Sequence, residues 1–309
     1  MSAARPMPLK FEIGARTLGQ VSRTLRRVPL SLDAALEGRL PVLPPLEREA
    51  HGYSITSLPE DRLDAMVDAS GGMLPFVRQR YTRHYIDLTI GAQAWLAHLS
   101  GNARQGIRRK AKKIAQVTGG TLDIRRYRAP DDVELFHDIG RRISLRTYQE
   151  RLMGSGLPDT PEFLTDMLAQ AAAGQVRAWL LFIAGEPAAY LYCPVVDGTV
   201  LYAHVGHDPA FNDLSPGAVL QIEALQDLFA EAGEAGLKRF DFTEGEGQHK
   251  RQFATGGVAC VDLLLLRPSL ANRATMAALG GFNSAVALAK RVVEGTPLRR
   301  AAKTLRRGG

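Results

Sequence analysis

Three short apolar runs, 177–183, 188–195 and 200–205, follow one another with Gly185-Glu-Pro187 and Asp197-Gly198 between them. Runs of this length bounded by turn residues predict strands, and Asp-Gly is the pair that favours a two-residue hairpin. Three antiparallel strands in succession are therefore expected. The period then changes. Over 215–236, Val219, Ile222, Leu225, Leu228, Phe229 and Ala232 recur at three- and four-residue spacing, which predicts an amphipathic helix closed by Gly233 and Gly236. A strand at 237–242, a loop with a short helix, and a strand at 258–266 follow.

Upstream, strands are expected at 51–58, 81–88 and 122–127, and helices at 101–117, 131–148 and 161–173. Ser100 and Thr160 stand where helix caps belong, Pro161 suits a first helical turn, and Gly119-Gly120 can end a helix in left-handed geometry. In Arg39-Leu-Pro-Val-Leu-Pro-Pro-Leu46 the prolines withhold backbone donors and favour extended chain, so residues 1–50 read as an arm or linker. The element order predicts an α/β (α+β) protein with a mixed, mostly antiparallel sheet flanked by helices.

Composition narrows the class. With 45% hydrophobic and 23% charged positions in 309 residues, the chain can bury a large core. The longest apolar stretch, 258–266, is interrupted by Asp262 and is far shorter than the ~20 residues a membrane-crossing helix needs. Residues 1–32 carry arginines without an apolar core of leader length. Cys193 and Cys260 are too few for a disulfide framework or a thiolate cluster, so a reducing, cytoplasmic setting is expected. The net charge of +7 is uneven. From residue 267 onward nine basic residues stand against Glu294 alone, a balance of +8 that leaves the rest near −1. Such a tail suits an anionic surface. Helix 101–117 adds Arg104, Arg108, Arg109, Lys110, Lys112 and Lys113, either a solvated face or a surface for phosphates.

Two stretches carry candidate chemistry. Tyr202 to Gly217 joins a strand to the long helix, and Ser215, Pro216, Gly217 and Ala218 stand where uncovered N–H groups make an anion site. Gly217, lacking a Cβ, would let a pyrophosphate approach the backbone. A plain helix start explains the same residues. The second stretch, Phe240-Asp-Phe-Thr-Glu-Gly-Glu-Gly-Gln-His-Lys250, crowds Glu244, Glu246, His249 and Lys250 after a strand, where they either border a cleft or form an ion-paired turn. Gly245 and Gly247 begin a dinucleotide fingerprint that Lys250 does not complete. His204, His207 and Asp208 lack a further clear ligand, so no metal is expected there. Trp95 and Trp179 read as core.

Val205-Gly-His-Asp-Pro-Ala-Phe211, then Ser215-Pro-Gly217, then Phe240-Asp-Phe-Thr-Glu-Gly245 and His249-Lys250, resembles the CelD/BcsL-type, FemAB-like branch of the GNAT acyltransferases. That branch usually shows Tyr where His249 stands, and the fuller glycine-rich pyrophosphate loop of ordinary GNAT enzymes is missing. The resemblance implies the GNAT fold, with a degenerate GNAT-like part at 51–120, an acyltransferase domain at 121–267 and a basic amphipathic tail at 268–309. It implies acyl-CoA or a comparable thioester as co-substrate, an amine acceptor, and a gap between strands 200–205 and 237–242 for the thioester. Val205, Gly206, Ser215, Pro216, Gly217 and Ala218 would hold the carrier. Glu244, Glu246, His249 or His204 would act as base, and Lys250 would hold a phosphate or an acceptor carboxylate. A backbone N–H within 203–205 would meet the oxyanion.

The tail, with Met276, Leu279, Phe282, Val286, Leu288, Val292 and Val293 ahead of its arginines, suits either peripheral association with the inner membrane or packing on the body with a basic end. The first would admit a lipid amine such as a sphingoid base, or a cell-envelope amino sugar or peptide, as acceptor. The competing reading of the chain is a catalytically silent GNAT-like module that binds anionic membrane or nucleic acid, of which nucleic acid is the less expected partner.

Overall fold

Strand β6 (Val176–Ile183) is buried along its whole length, and its alternation explains the layering of the unit around it. Trp179, Leu181 and Ile183 enter one apolar cluster, whereas Ala178, Leu180 and Phe182 enter another. Successive strand side chains point to opposite faces, so β6 is covered on both. A computed structural model describes residues 3–13, 16–147, 156–245 and 247–295. It divides into two compact units, Met1–Arg80 with Cys260–Gly309, and Tyr81–Ala259.

In the first unit β1 (Arg5–Ile13) and β2 (Arg16–Pro29) form an antiparallel hairpin, and β2 continues parallel to β3 (Gly52–Pro59). Antiparallel to β3 lies β11 (Gly256–Leu266), whose residues from Cys260 onward belong here. Met7, Leu9 and Phe11 alternate along β1 toward Leu25, Leu264 and Leu266. Helix α1 (Leu32–Leu36) is capped by Ser31, α2 (Leu63–Ala69) follows β3, and α9 (Leu270–Gly295) lays Met276 and Leu279 on the hairpin's cluster. Phe282 meets Phe11 edge-on with ring centres 5.4 Å apart.

Three expectations change here. Residues 1–50 are not an arm, because 5–29 form the hairpin. The expected division near residue 120 is replaced by divisions at 80/81 and 259/260. Of the two readings of the tail, packing holds for the first turns of α9; Arg299 to Arg307 lie outside the described residues. No described helix is long and apolar enough to cross a membrane.

In the second unit the strand order is β4 (Leu74–Asp87, from Tyr81), β10 (Arg239–Asp241), β8 (Thr199–Leu201), β7 (Glu186–Val196), β6 and β5 (Asp123–Tyr127), with β9 (His204–His207) also on β7. Neighbours run antiparallel except β8 and β10. Helices α5 (Pro130–Ser144) and α6 (Pro161–Ala172) cover one face through Phe136, Ile143 and Met167. On the other, α3 (Ala92–His98), α4 (Gly101–Val117) and α7 (Pro216–Glu231) pack through Trp95, Ile114, Val219, Ile222 and Leu225. Trp95 and Trp179 are fully buried. Asp197 and Gly198 both take positive φ, +50° and +79°, between β7 and β8, as an Asp-Gly hairpin requires.

Candidate active site

The strand expected at 200–205 is two strands, and the break creates the site. β8 pairs in parallel with β10 as far as Leu201 and Asp241, and the last bond of this ladder runs from the Tyr202 N–H to the Asp241 carbonyl, 2.9 Å. From His204 onward β9 pairs with β7 alone, while the chain leaving Asp241 turns into a loop and α8 (Gln248–Phe253). The two strands therefore part at Tyr202 and Asp241. Asp208 donates its N–H to the Ala188 carbonyl at 2.8 Å, which fixes the alternation on β9. His204 and Gly206 belong to the set bonded to β7, so the N–H groups of Val205 and His207 point away from it, into the gap.

A cleft of about 930 Å³ opens there, lined by Tyr202, Val205 and Gly206 on one side, Ser215, Gly217, Ala218 and Gln221 of the α7 segment, and His249, Lys250 and Phe253 of α8. Lys110 and Arg146 add positive charge to its wall. At Gly206 a Cβ would sit 2.5 Å from the Tyr190 ring, so this glycine lets β9 lie on Tyr190.

Ser215 does not cap α7 with its side chain. It takes left-handed geometry (φ 54°, ψ 52°), and its carbonyl receives the N–H groups of Ala218 and Val219. Pro216 has no N–H, and the Gly217 N–H has no acceptor among the described residues. The positive end of a 16-residue helix thus opens on the cleft with an unpaired donor. A Cβ on Gly217 would meet nothing closer than the His207 Nδ1, at 3.4 Å. Ser215, Gly217 and Ala218 line the cleft, so this helix start borders open space.

Behind it stands a residue that sequence reasoning missed. Gln221 is 4% exposed; its Oε1 accepts from the Tyr202 hydroxyl at 3.4 Å, and its Nε2 has no partner among the described residues. An unpaired buried amide end costs ~1–3 kcal/mol. Its only sequence signal is a polar residue inside the apolar stripe of 215–236. Burial, then Cys193, pushes the Tyr202 phenol well above its ordinary range, so it stays a hydrogen-bond donor.

Of the proposed bases among the described residues, only His249 lines the cleft. Its ring stands 6.2 Å from those of Tyr202 and Phe242, and its nitrogens have no hydrogen-bond partner among the described residues. Burial, then the neighbouring Lys250, hold its pKa below the ordinary 6.5, which keeps the imidazole neutral at pH 7. His204 is on the other face of β9. Its ring packs on Phe163 and Tyr192, its Nδ1 lies 3.2 Å from the Gly156 carbonyl, and burial lowers its pKa. It is a packing residue. Glu244 is exposed and does not line the cleft, and Glu246 lies outside the described residues.

Lys250 is buried, and its Nζ donates to the carbonyls of Phe242 (2.8 Å) and Glu244 (2.6 Å). These two bonds fasten the loop after β10. That loop departs from β geometry through Thr243 (φ 58°) and Gly245 (φ 87°). Asp241 is instead paired with the buried Arg83, and also receives the Thr243 N–H at 2.8 Å. Burial works to lower the Arg83 pKa, and Asp241 outweighs it. Asp208 receives the Ala210 N–H at 3.0 Å and pairs with Arg146 at 2.7 Å. Burial opposes its ionisation, and these two donors more than offset that, holding its carboxyl below the usual range. On α4, Lys110 reaches the cleft, Lys113 donates to the Asp213 carbonyl at 2.8 Å, and Arg108, Arg109 and Lys112 are exposed.

Residues 101–251 match the acetyltransferase (GNAT) domain family. A sequence comparison with curated proteins returns no match. Among solved structures, the chain is similar to the C-terminal domain of a putative lysylphosphatidylglycerol synthetase from Agrobacterium fabrum, at 15% identity and TM-score 0.51 over 74% of this chain and 72% of that one. It is also similar to L-PGS from Bacillus licheniformis (15%, TM-score 0.47, 73% and 70%) and to FemX (10%, TM-score 0.47, 85% and 88%). At such identities the likeness concerns architecture alone.

Proposed function

Starting from residues 101–251 as a GNAT acetyltransferase domain with the fold of that family, we propose that the chain transfers an acyl group from acyl-CoA, or a comparable thioester, to an amine. The observation that carries this reading is the parting of β8/β9 from β10 at Tyr202, which leaves outward N–H donors, an unpaired helix start and a neutral imidazole around one cleft. The unpaired donors fit such a carrier. Its phosphates suit the Gly217 N–H and the positive end of α7, with Lys110 adding charge, and its amide carbonyls suit the Gln221 Nε2 and the outward N–H of His207.

In this reading the amine reaches the cleft as ammonium, and His249 takes its proton. General-base assistance of this kind is worth about 10²–10⁴-fold. The amine nitrogen then bonds to the acyl carbon while the carbon–sulfur bond breaks, and the sulfur leaves as thiolate and takes up the second proton, which the nitrogen gives up as it becomes an amide. The Val205 N–H donates to the carbonyl oxygen as it gains charge, a contribution on the order of 3 kcal/mol. Lys250 keeps the loop and α8 in place and does not touch the reacting atoms.

The test is thermal stabilisation by CoA and acetyl-CoA, followed by thiol release from acetyl-CoA with a panel of primary amines. Saturation near 100 times Kd stabilises a protein by about 2.7 kcal/mol. No stabilisation by either compound at millimolar concentration would sink the proposal.

A further inference from the structure

A smaller pocket of about 170 Å³ opens beside the main cleft, between α4, α7 and α8. Ala103, Gly106 and Ile107 form its α4 wall, Val219 and Ile222 its α7 wall, and Phe253 its base in α8. Lys110, Ala218, His249 and Phe253 line both spaces, so the two meet at the imidazole. The charged groups on the pocket wall are Lys110 and Glu223; Glu223 is half-buried, and burial, then Asp227, raise its pKa.

We infer that this side pocket receives the carbon chain of the amine acceptor, a primary amine carrying a short linear aliphatic group. The inference rests on the acyl-transfer reading and adds the acceptor's shape to it. An amine whose proton passes to His249 must sit within hydrogen-bond reach of that ring. The thioester arm, running from Gly217 toward Val205, fills the main cleft on one side of His249. The amine's substituent then has to leave on the other side, where the mostly apolar pocket begins. Its volume is close to the ~150 Å³ of an engineered cavity that takes up benzene, so it has room for about six carbons. Small residues make that room: a Cβ on Gly106 would meet no atom within 4 Å and would project into open space.

The experiment measures kcat/KM for a homologous series from ethylamine to octylamine with acetyl-CoA held fixed, in wild type, Gly106→Ala and Gly106→Leu. Neither substitution meets resistance at the Cβ, and both replace a helix-interior glycine by a better helix former, so folded protein is expected. In wild type each added methylene raises kcat/KM about fourfold, up to roughly six carbons, where the gain stops. In Gly106→Ala the rise stops at a shorter chain, in Gly106→Leu it is nearly abolished, and the KM for acetyl-CoA stays constant. A flat series in wild type, or the same series in all three proteins, overturns the pocket's assignment while transfer itself persists. Dependence on acyl length instead of amine length, or a loss of CoA affinity in Gly106→Leu, gives the pocket to the donor and overturns it equally. Failure of every amine to react, with CoA still bound, overturns the acyl-transfer reading and the pocket's assignment with it.

Discussion

The Gly217→Val substitution separates carrier binding from the fold more sharply than any other in the site. The new Cβ touches only the His207 ring, at 3.4 Å, which is ordinary contact, and valine is a better helix former than glycine. The protein should therefore fold as before. Its two methyl groups, however, would crowd the cleft beside the Gly217 N–H, which has no acceptor among the described residues. A phosphate kept away from that N–H loses a charge-assisted hydrogen bond of about 1.5–3 kcal/mol and the pull of the helix end, about 0.3–1 kcal/mol. Together these come to about 2–4 kcal/mol, or roughly 30- to 800-fold in Kd. Calorimetric titration with CoA reads this directly. As a control, the acetyl thioester of N-acetylcysteamine carries no phosphate, so its KM should hardly change. Equal CoA affinity in wild type and Gly217→Val would refute the placing of phosphates at this helix.

Three further outcomes are expected. His249→Ala lowers kcat by about 10²–10⁴-fold with little change in CoA affinity; in wild type, the break in the rise of kcat/KM with pH at constant free amine lies below 6.5, because burial and Lys250 depress the imidazole's pKa, and a break above 6.5 would speak against His249. Gln221→Leu raises the KM for the thioester about 2- to 12-fold, the worth of one neutral hydrogen bond, with little change in Tm, since losing an amide end that has no partner among the described residues offsets losing the acceptor of the Tyr202 hydroxyl; a Tm well below wild type would show that the amide is structural. Arg83→Met leaves the carboxylate of Asp241 buried without its partner, and urea unfolding should report a loss of about 3–5 kcal/mol, most of which returns in the double variant with Asp241→Asn.

The second unit was largely legible in the sequence. Helix 101–117 has the expected bounds, and the hairpin at Asp197-Gly198 and the long helix after Ser215 stand where periodicity puts them. These are segments whose local preference agrees with their packing. The break at Tyr202 was hidden, because apolar periodicity continues through Val205 and only the departure of β10 reveals it. The hairpin at 5–29 was hidden for another reason. Met7, Leu9 and Phe11 do alternate, yet prolines at 6 and 8 and the surrounding arginines mask the period. Within the site, residue types identified His249 and Lys250 together but could not rank them, since neighbours in sequence point to different sides of a helix. Gln221 was invisible for want of any motif; an unpaired amide is a property of three-dimensional surroundings.

The six-residue helix α8 places Lys250 inward on two carbonyls and His249 outward on the cleft, and a helix turns by about 100° per residue. Lysine therefore sets the phase of its own neighbour. Adding or deleting a single residue at the left-handed positions Thr243 and Gly245 would leave the composition almost untouched and yet swing the imidazole out of the opening, so insertions should be rarer there than in any exposed turn among the described residues.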